Sequence, residues 1–384
     1  MPLAPQPSVV RVCMVTPHLP PVQAANALLP VQLAAELSLE GAAATFISYS
    51  TAEPSPPMSH SVTRVPKRGD GLLARSVLGA AATAGRIMLQ ARRSVGSADI
   101  VHLHSNGLIV EAAGDVARRL RKPYVITLYG TDVWHYSPVR HRRFARVVRD
   151  ASHRVFYSHA LQEFAGQRDL APEPSSVIYA PVASDFHGET YDRRATLKQA
   201  LGVGDAPMLL TVKRLHPVAG YHDLINAMPA IVSHQPKVRL LIAGEGELRA
   251  TLDAQISEVG MRDHIELLGL VPNQELQRYY AAADLFVLPS HLESWGTVML
   301  EALGCGTPVV ASNTAGASEV RSLFEEDVQL FPVGDTAALS RAVLDKLARP
   351  MRVHSATRSR LENQFSTSGC LRQYLTVYRQ ALAG

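Results

Sequence analysis

Short runs of β-branched and aliphatic residues alternate with stretches of helical periodicity along the whole chain, and midway the alternation starts again. VVRVCMV, ATFISYS, DIVHLHS, PYVITLYG, HRVFYSHA and SSVIYAP read as strands, with helices over 31–39 and 108–120. After Tyr191 the pattern resumes with MLLTVKR, VRLLIAG, HIELLGL, DLFVLPS and TPVVASN, each followed by a helix-like stretch. Strand and helix in strict alternation predict parallel sheets covered on both faces. Two such series predict two doubly wound α/β domains, with ligands received in a cleft at the C-terminal ends of the strands. A chain of 384 residues exceeds what one core supports, so two cores are expected on size as well. The turn-rich segment APVASDFHGETYD is read as the linker, giving domains 1–183 and 184–355, and 356–384 reads as helical.

Composition narrows the setting. Charged residues at 19% against 47% hydrophobic exclude a disordered or fibrous chain. Cys13, Cys305 and Cys370 are odd in number and far apart, with no C-x-x-C pair, which predicts neither a disulfide framework nor a zinc site and points to a reducing compartment. The opening MPLAPQPSVVRVCMV lacks the basic and apolar regions of a signal peptide, and the best apolar stretch, 77–84, is closed by Arg86. A cytoplasmic protein is expected, in solution or peripheral at the inner face of the cell membrane. Up to Ala183 there are 19 Lys and Arg against 12 Asp and Glu; beyond it, 19 against 22. The basic first half would attract acidic ligands or surfaces.

Two carboxylates carry the functional signal. In PSHLESWGTVMLEALGCGTPVVASNTAG, a strand ends at Pro289 and a helix is predicted from about Ser294, which puts Glu293 at its N-terminus and Glu301 two turns further in. The N–H groups of Ser294, Trp295, Gly296 and Thr297 would form an anion site backed by the helix dipole. An anion flanked by hydroxyl-rich groups, as in a nucleotide sugar, suits this layout. For Glu293 alone, a purely dipolar role at a helix start is an equal reading. Glycoside hydrolysis is disfavoured, because its two carboxylates must flank one bond from opposite walls. Lys213 and Arg214 follow the first strand of the second half, where a basic pair can clamp a diphosphate. Gly244 and Gly246 turn a strand into a helix; Arg249 stands where a dinucleotide fingerprint needs its third glycine.

The E-x7-E run followed by G-x-P-V-V resembles the signature of family 4 retaining glycosyltransferases, which have the GT-B fold of two facing Rossmann-like domains. The likeness extends through LLTVKRLHPVAGYHDLINAM, VRLLIAGEGELRATL and IELLGLVPNQELQRYYAAADLFVLPS. It implies that Glu293 and adjacent amides hold the donor sugar, Glu301 the ribose hydroxyls and Arg214 the diphosphate, with the base near Leu270 and Val271. It also implies that the last helix crosses back to the N-terminal domain. Three positions depart from the family pattern. Ala219 stands at the lysine of G-R-L-x-x-x-K-G, Tyr129 at the histidine of H-G-[ST]-D, and Ala24 and Ala25 where a glycine pair approaches the donor phosphates. Asp132 contacts an acceptor hydroxyl or caps the following turn; both readings stand.

The resemblance therefore implies an enzyme of the retaining hexosyltransferase class, with catalytic candidates Arg214, Glu293, Tyr129 and Asp132. It needs no metal and no cofactor beyond its nucleotide-diphosphate sugar, UDP- or GDP-linked. The acceptor hydroxyl would belong to a polysaccharide or lipid-linked precursor, or to a small natural product. A nucleotide-sugar 2-epimerase and a non-catalytic sugar-nucleotide binder are the rivals. His102 and His104 share a strand face without a third ligand. Arg140, Arg143, Arg146 and Arg149 recur every three residues, and Lys67, Arg68, Arg75, Arg86, Arg92 and Arg93 sit among apolar residues. Both segments read as solvated basic faces or as contacts to an anionic membrane. Nucleic acid is not expected, since aromatics are not interleaved.

Overall fold

The computed structural model describes residues 10–22, 24–50, 59–67, 77–183, 186 and 193–384. They form two compact units, Met1–Tyr179 together with Thr367–Gly384, and Ala180–Ser366. Arg68, Arg75 and most of the expected linker lie outside the described residues.

In the first unit, β1 (Arg11–Val15), β2 (Ala43–Tyr49), β3 (Ser61–Val65), β4 (Ile100–His104), β5 (Tyr124–Leu128), β6 (His153–Phe156) and β7 (Ser175–Val177) form one sheet in the order β3-β2-β1-β4-β5-β6-β7. Every pairing is parallel. The central strands β4 and β5 are buried along their whole length, because helices cover both faces. In the second unit, β8 (Met208–Val212), β9 (Arg239–Ala243), β10 (Ile265–Gly269), β11 (Leu285–Leu288), β12 (Val309–Ser312) and β13 (Val328–Phe331) pair in the order β10-β9-β8-β11-β12-β13, again all parallel.

The strand order reverses direction between β1 and β4 in the first sheet and between β8 and β11 in the second. In doubly wound sheets such a reversal opens a crevice beyond the carboxyl ends of the two strands, since their connecting helices leave on opposite faces. The sequence reading did not include β3 and β13. Both are edge strands, only partly buried, with patterns eiiiB and BiiB, so neither shows the continuous apolar run that marks a central strand.

The tail is two helices rather than one stretch. Helix Ser355–Gln364 belongs to the second unit, and Thr367–Ala383 belongs to the first. The break falls where Phe365 is pinned. Its ring stacks on Trp295 at 6.0 Å between centroids, and its carbonyl accepts the Val182 N–H at 2.7 Å.

Helix Thr367–Ala383 is tied to the first sheet through a buried polar cluster. His102 Nδ1 shares a 2.7 Å hydrogen bond with the Tyr378 hydroxyl, and its Nε2 shares one of 2.8 Å with Thr127, which also meets Tyr374 at 3.3 Å. Burial lowers the His102 pKa to about 3, so the ring is neutral and acts as one donor and one acceptor. Packing thus accounts for this histidine. Replacing Tyr378 by Phe keeps the ring but strands a buried imidazole nitrogen. Tyr378→Phe is expected to cost about 1–3 kcal/mol, read as a lower urea midpoint with an unchanged slope.

Candidate functional site

The crevice of the second sheet is bridged by charge. Lys213 is the first residue after β8, and Pro289 and Ser290 follow β11. The Lys213 ammonium donates to Ser290 Oγ at 2.8 Å, to the Leu292 carbonyl at 3.4 Å and to Glu293 Oε2 at 2.8 Å. The other carboxylate oxygen of Glu293, Oε1, accepts the Ser294 N–H at 3.0 Å. Lysine and glutamate side chains keep 22% and 13% of their surface exposed, so the pair is held but reachable.

Backbone crowding fixes this arrangement. A Cβ on Gly244, at φ +151°, would fall 2.1 Å from the Lys213 carbonyl oxygen, and that oxygen also accepts the Tyr221 hydroxyl at 2.6 Å. Gly220, at φ +71°, lies so close to Pro289 that a Cβ would stand 1.8 Å from its carbonyl oxygen. The turn after β8 and the loop after β11 are joined again by the His291 N–H donating to the Val218 carbonyl at 2.8 Å.

The helix that was expected from Ser294 begins at Thr297, after Gly296 at φ +79°. Glu293 therefore lies in the loop, and the Ser294 amide is already occupied by its carboxylate. The helix-opening amides are those of Thr297–Gly304, which no side chain caps. Trp295 contributes only backbone there, since its ring is 1% exposed and stacks in the core.

Glu301, the fifth residue of that helix, accepts the Tyr280 hydroxyl on Oε2 at 2.8 Å and is half-buried. Withdrawal from water pushes its pKa up to about 7, against which the Tyr280 hydrogen bond works. Its second oxygen has no protein partner among the described residues. Arg214 separates from Lys213. Its side chain is 72% exposed and stands 3.9 Å from Glu247. Ala219 is 1% exposed and is the buried residue of the turn Pro217–Ala219, so that position presents no charge. Leu270 is exposed and Val271 buried, just beyond β10.

In the first unit, Tyr129 follows β5 and is half-buried, its hydroxyl sharing a 2.8 Å bond with His104 Nδ1 and its ring lying 4.6 Å from Tyr157. Asp132 is buried and accepts the N–H groups of Tyr129 and Gly130 at 2.7 to 3.1 Å. These bonds run back to the residues before it, and the short helix Thr131–Trp134 that follows has no side-chain cap. Ala24 is extended, at φ −125°, and helix Ala25–Leu39 opens after it without a side-chain cap. Alanine meets no left-handed strain there. Arg143 and Arg146 converge on Asp115 at 2.7 and 3.0 Å, so half of that arginine row is paired rather than presented to a partner. Among the described residues no group of three or more His, Cys, Asp and Glu is placed to hold a metal. No described helix is long and apolar enough to cross a membrane.

The family model for glycosyl transferases group 1 matches residues 192–364, and that for glycosyltransferase family 4 matches residues 31–186. The chain belongs to glycosyltransferase family 4. It is 32% identical over 250 residues to a GDP-mannose-dependent alpha-(1-6)-phosphatidylinositol monomannoside mannosyltransferase of Mycolicibacterium smegmatis, covering 62% of this chain and 65% of that one. A putative teichuronic acid biosynthesis glycosyltransferase of Bacillus subtilis is 33% identical over 227 residues, covering 58% and 55%. The chain thus matches less than two thirds of the length of both relatives. Among solved structures, sucrose-phosphate synthase from Thermosynechococcus elongatus superposes with TM-score 0.80 over 97% of this chain and 99% of that one, at 21% identity. Anabaena HepE in complex with UDP and glucose gives 0.78 over 96% and 99%, at 20%. The fold is GT-B.

In this family 4 chain the sequence marked Lys213, Glu293, Ser294 and Gly244, and the structure brings these together. Ser290, Tyr221 and Tyr280 went unmarked, because each works through one hydroxyl whose partner lies on another element or loop. For Glu301 the sign of the pH effect follows from the raised pKa. The folded state holds its proton more tightly than the unfolded chain, so this group's contribution to stability is fully present below about pH 4.5, is lost as pH rises through about 7, and is flat above. Glu301→Gln should raise the melting temperature at pH 8 by about 2 °C or more, with the gain vanishing near pH 4.5. A pH-independent change would remove the buried carboxylate as its cause.

Proposed function

We propose that the protein is a retaining, metal-independent hexosyltransferase that moves a sugar from a UDP- or GDP-linked donor to a hydroxyl on a glycolipid or polysaccharide precursor. The observation that carries this is the Lys213–Glu293 pair set across the β8/β11 crevice, beside an uncapped helix N-terminus. Glu293 holds sugar hydroxyls, Glu301 offers its open oxygen to the ribose, and Leu270 and Val271 flank the base. Lys213, Arg214 and the opening amides of Thr297–Gly304 receive the diphosphate. The relatives named for phosphatidylinositol mannoside and teichuronic acid support the acceptor class.

In the proposed reaction the bond between the anomeric carbon and the diphosphate oxygen breaks, and the bond to the acceptor oxygen forms on the same face. The acceptor's proton passes to the departing phosphate oxygen. Positive groups at the crevice take up the charge that develops there, which is the part a resident metal would otherwise play. The test is product formation from UDP- and GDP-hexoses, with the product anomer read by NMR. The donor's anomeric configuration should be kept and activity should survive EDTA. An inverted product overturns retention, and activity lost to chelator and restored by Mg2+ overturns metal independence.

The first unit supports action at an anionic membrane face. Helix Val77–Ser97 contains no acidic residue, and its outer side carries Leu78 and Leu89, 82% and 77% exposed, with exposed Arg86, Arg92 and Arg93. Arg119 and Arg143 approach Met88 of the same helix, and Val139, Arg140 and Arg142 are exposed nearby in sequence. Apolar anchors ringed by arginine suit an interface with acidic headgroups. Vesicles containing about one third anionic lipid should retain the protein at low salt, and Leu78→Ser with Leu89→Ser should release it. Equal recovery with neutral vesicles would remove the electrostatic part.

A further inference from the structure

We propose that Lys213 is the cation that meets the terminal phosphate of the donor's diphosphate, in place of the charge that position 219 lacks. This rests on the donor-site reading above and assigns one residue within it. The turn Pro217–Ala219 brings no charge to the crevice, because Ala219 is turned into the core. Arg214 is largely solvated and stands beside Glu247, so fixing it on a phosphate costs side-chain entropy and competes with water. His291 is close by, but its Nε2 is committed to Asp223 at 2.6 Å. Lys213 is already fixed in place.

An ammonium has three N–H donors, and Lys213 spends them on Ser290 Oγ, the Leu292 carbonyl and Glu293 Oε2. The two short bonds orient the group across the β8/β11 crevice, where ligands enter this type of sheet. The third, at 3.4 Å to a carbonyl, is the weakest and is the one a phosphate oxygen replaces with a charge-assisted bond. Glu293 holds the ammonium in position in the absence of ligand. It also balances the site, so that the arriving diphosphate meets a positioned cation rather than a mobile one.

Isothermal titration with nucleoside di- and monophosphates tests the assignment, using UDP, GDP, UMP and GMP. Lys213→Met should weaken the diphosphate that binds the parent by about 10–100-fold while changing its monophosphate by less than about threefold. A merely structural lysine would weaken both together. Lys213→Gln, which retains donors for Ser290 and the Leu292 carbonyl, should show the same selective loss and serves if the Met variant does not fold. An unchanged diphosphate-to-monophosphate ratio in the folded variant overturns the role of Lys213 and leaves the donor site standing. A parent protein that binds neither UDP nor GDP overturns the donor reading, and this assignment with it.

Discussion

An ion pair between Lys213 and Glu293 spans the place where the second sheet changes direction, and the surrounding backbone is shaped to allow it. Two strands that lie side by side send their chains to opposite faces, leaving carboxyl ends that nothing in the sheet itself can fill. The lysine closes that gap from one strand and the glutamate from the loop after the other. Gly220, Gly244 and Gly316 are each pressed so tightly against neighbouring backbone that a methyl group would overlap it. Gly316 lies against the Ser294–Trp295 peptide, which steadies the loop bearing the carboxylate. Free energy is spent on close backbone contact so that two charged groups stay partly dehydrated without being sealed off.

The two acidic residues that share this segment are built for different work. Glu293 has both carboxylate oxygens engaged, one by the Lys213 ammonium and one by the Ser294 amide. Glu301 has one hydroxyl for company and a pKa pushed up to about 7, so its charge is expensive. Such a cost persists in a folded protein when a ligand offsets it. In the proposed donor site, hydroxyl groups at the open oxygen would supply the hydrogen bonds that the fold withholds.

The alternation of strands and helices and the two-unit organisation were legible in the sequence, because buried parallel strands write continuous apolar runs. The edge strands β3 and β13 were not, since partial burial leaves no such run. The helix start was misplaced by three residues, because Ser294 suits a cap by type, whereas the chain spends its amide on Glu293 and turns at Gly296. Asp132 was readable in two ways, and neither anticipated that its carboxylate turns back to the Tyr129 and Gly130 amides before it. The Lys213 contacts to Ser290 and Glu293 join residues 77 and 80 positions apart, a pairing that local pattern cannot reveal. Likewise the arginine row looked like one cationic face, yet Asp115 from another helix neutralises part of it.

The helix Thr367–Ala383 completes the first unit with Tyr374 and Tyr378 on the buried histidine of β4. During synthesis the strands of that unit leave the ribosome first, but the helix that bonds His102 and Thr127 follows only after about 190 further residues have been made. The second unit, contiguous from Ala180 to Ser366, has all its parts earlier. The order of emergence and the order of completion are therefore reversed. The first unit's last helix is added only once every residue of the second unit has been made.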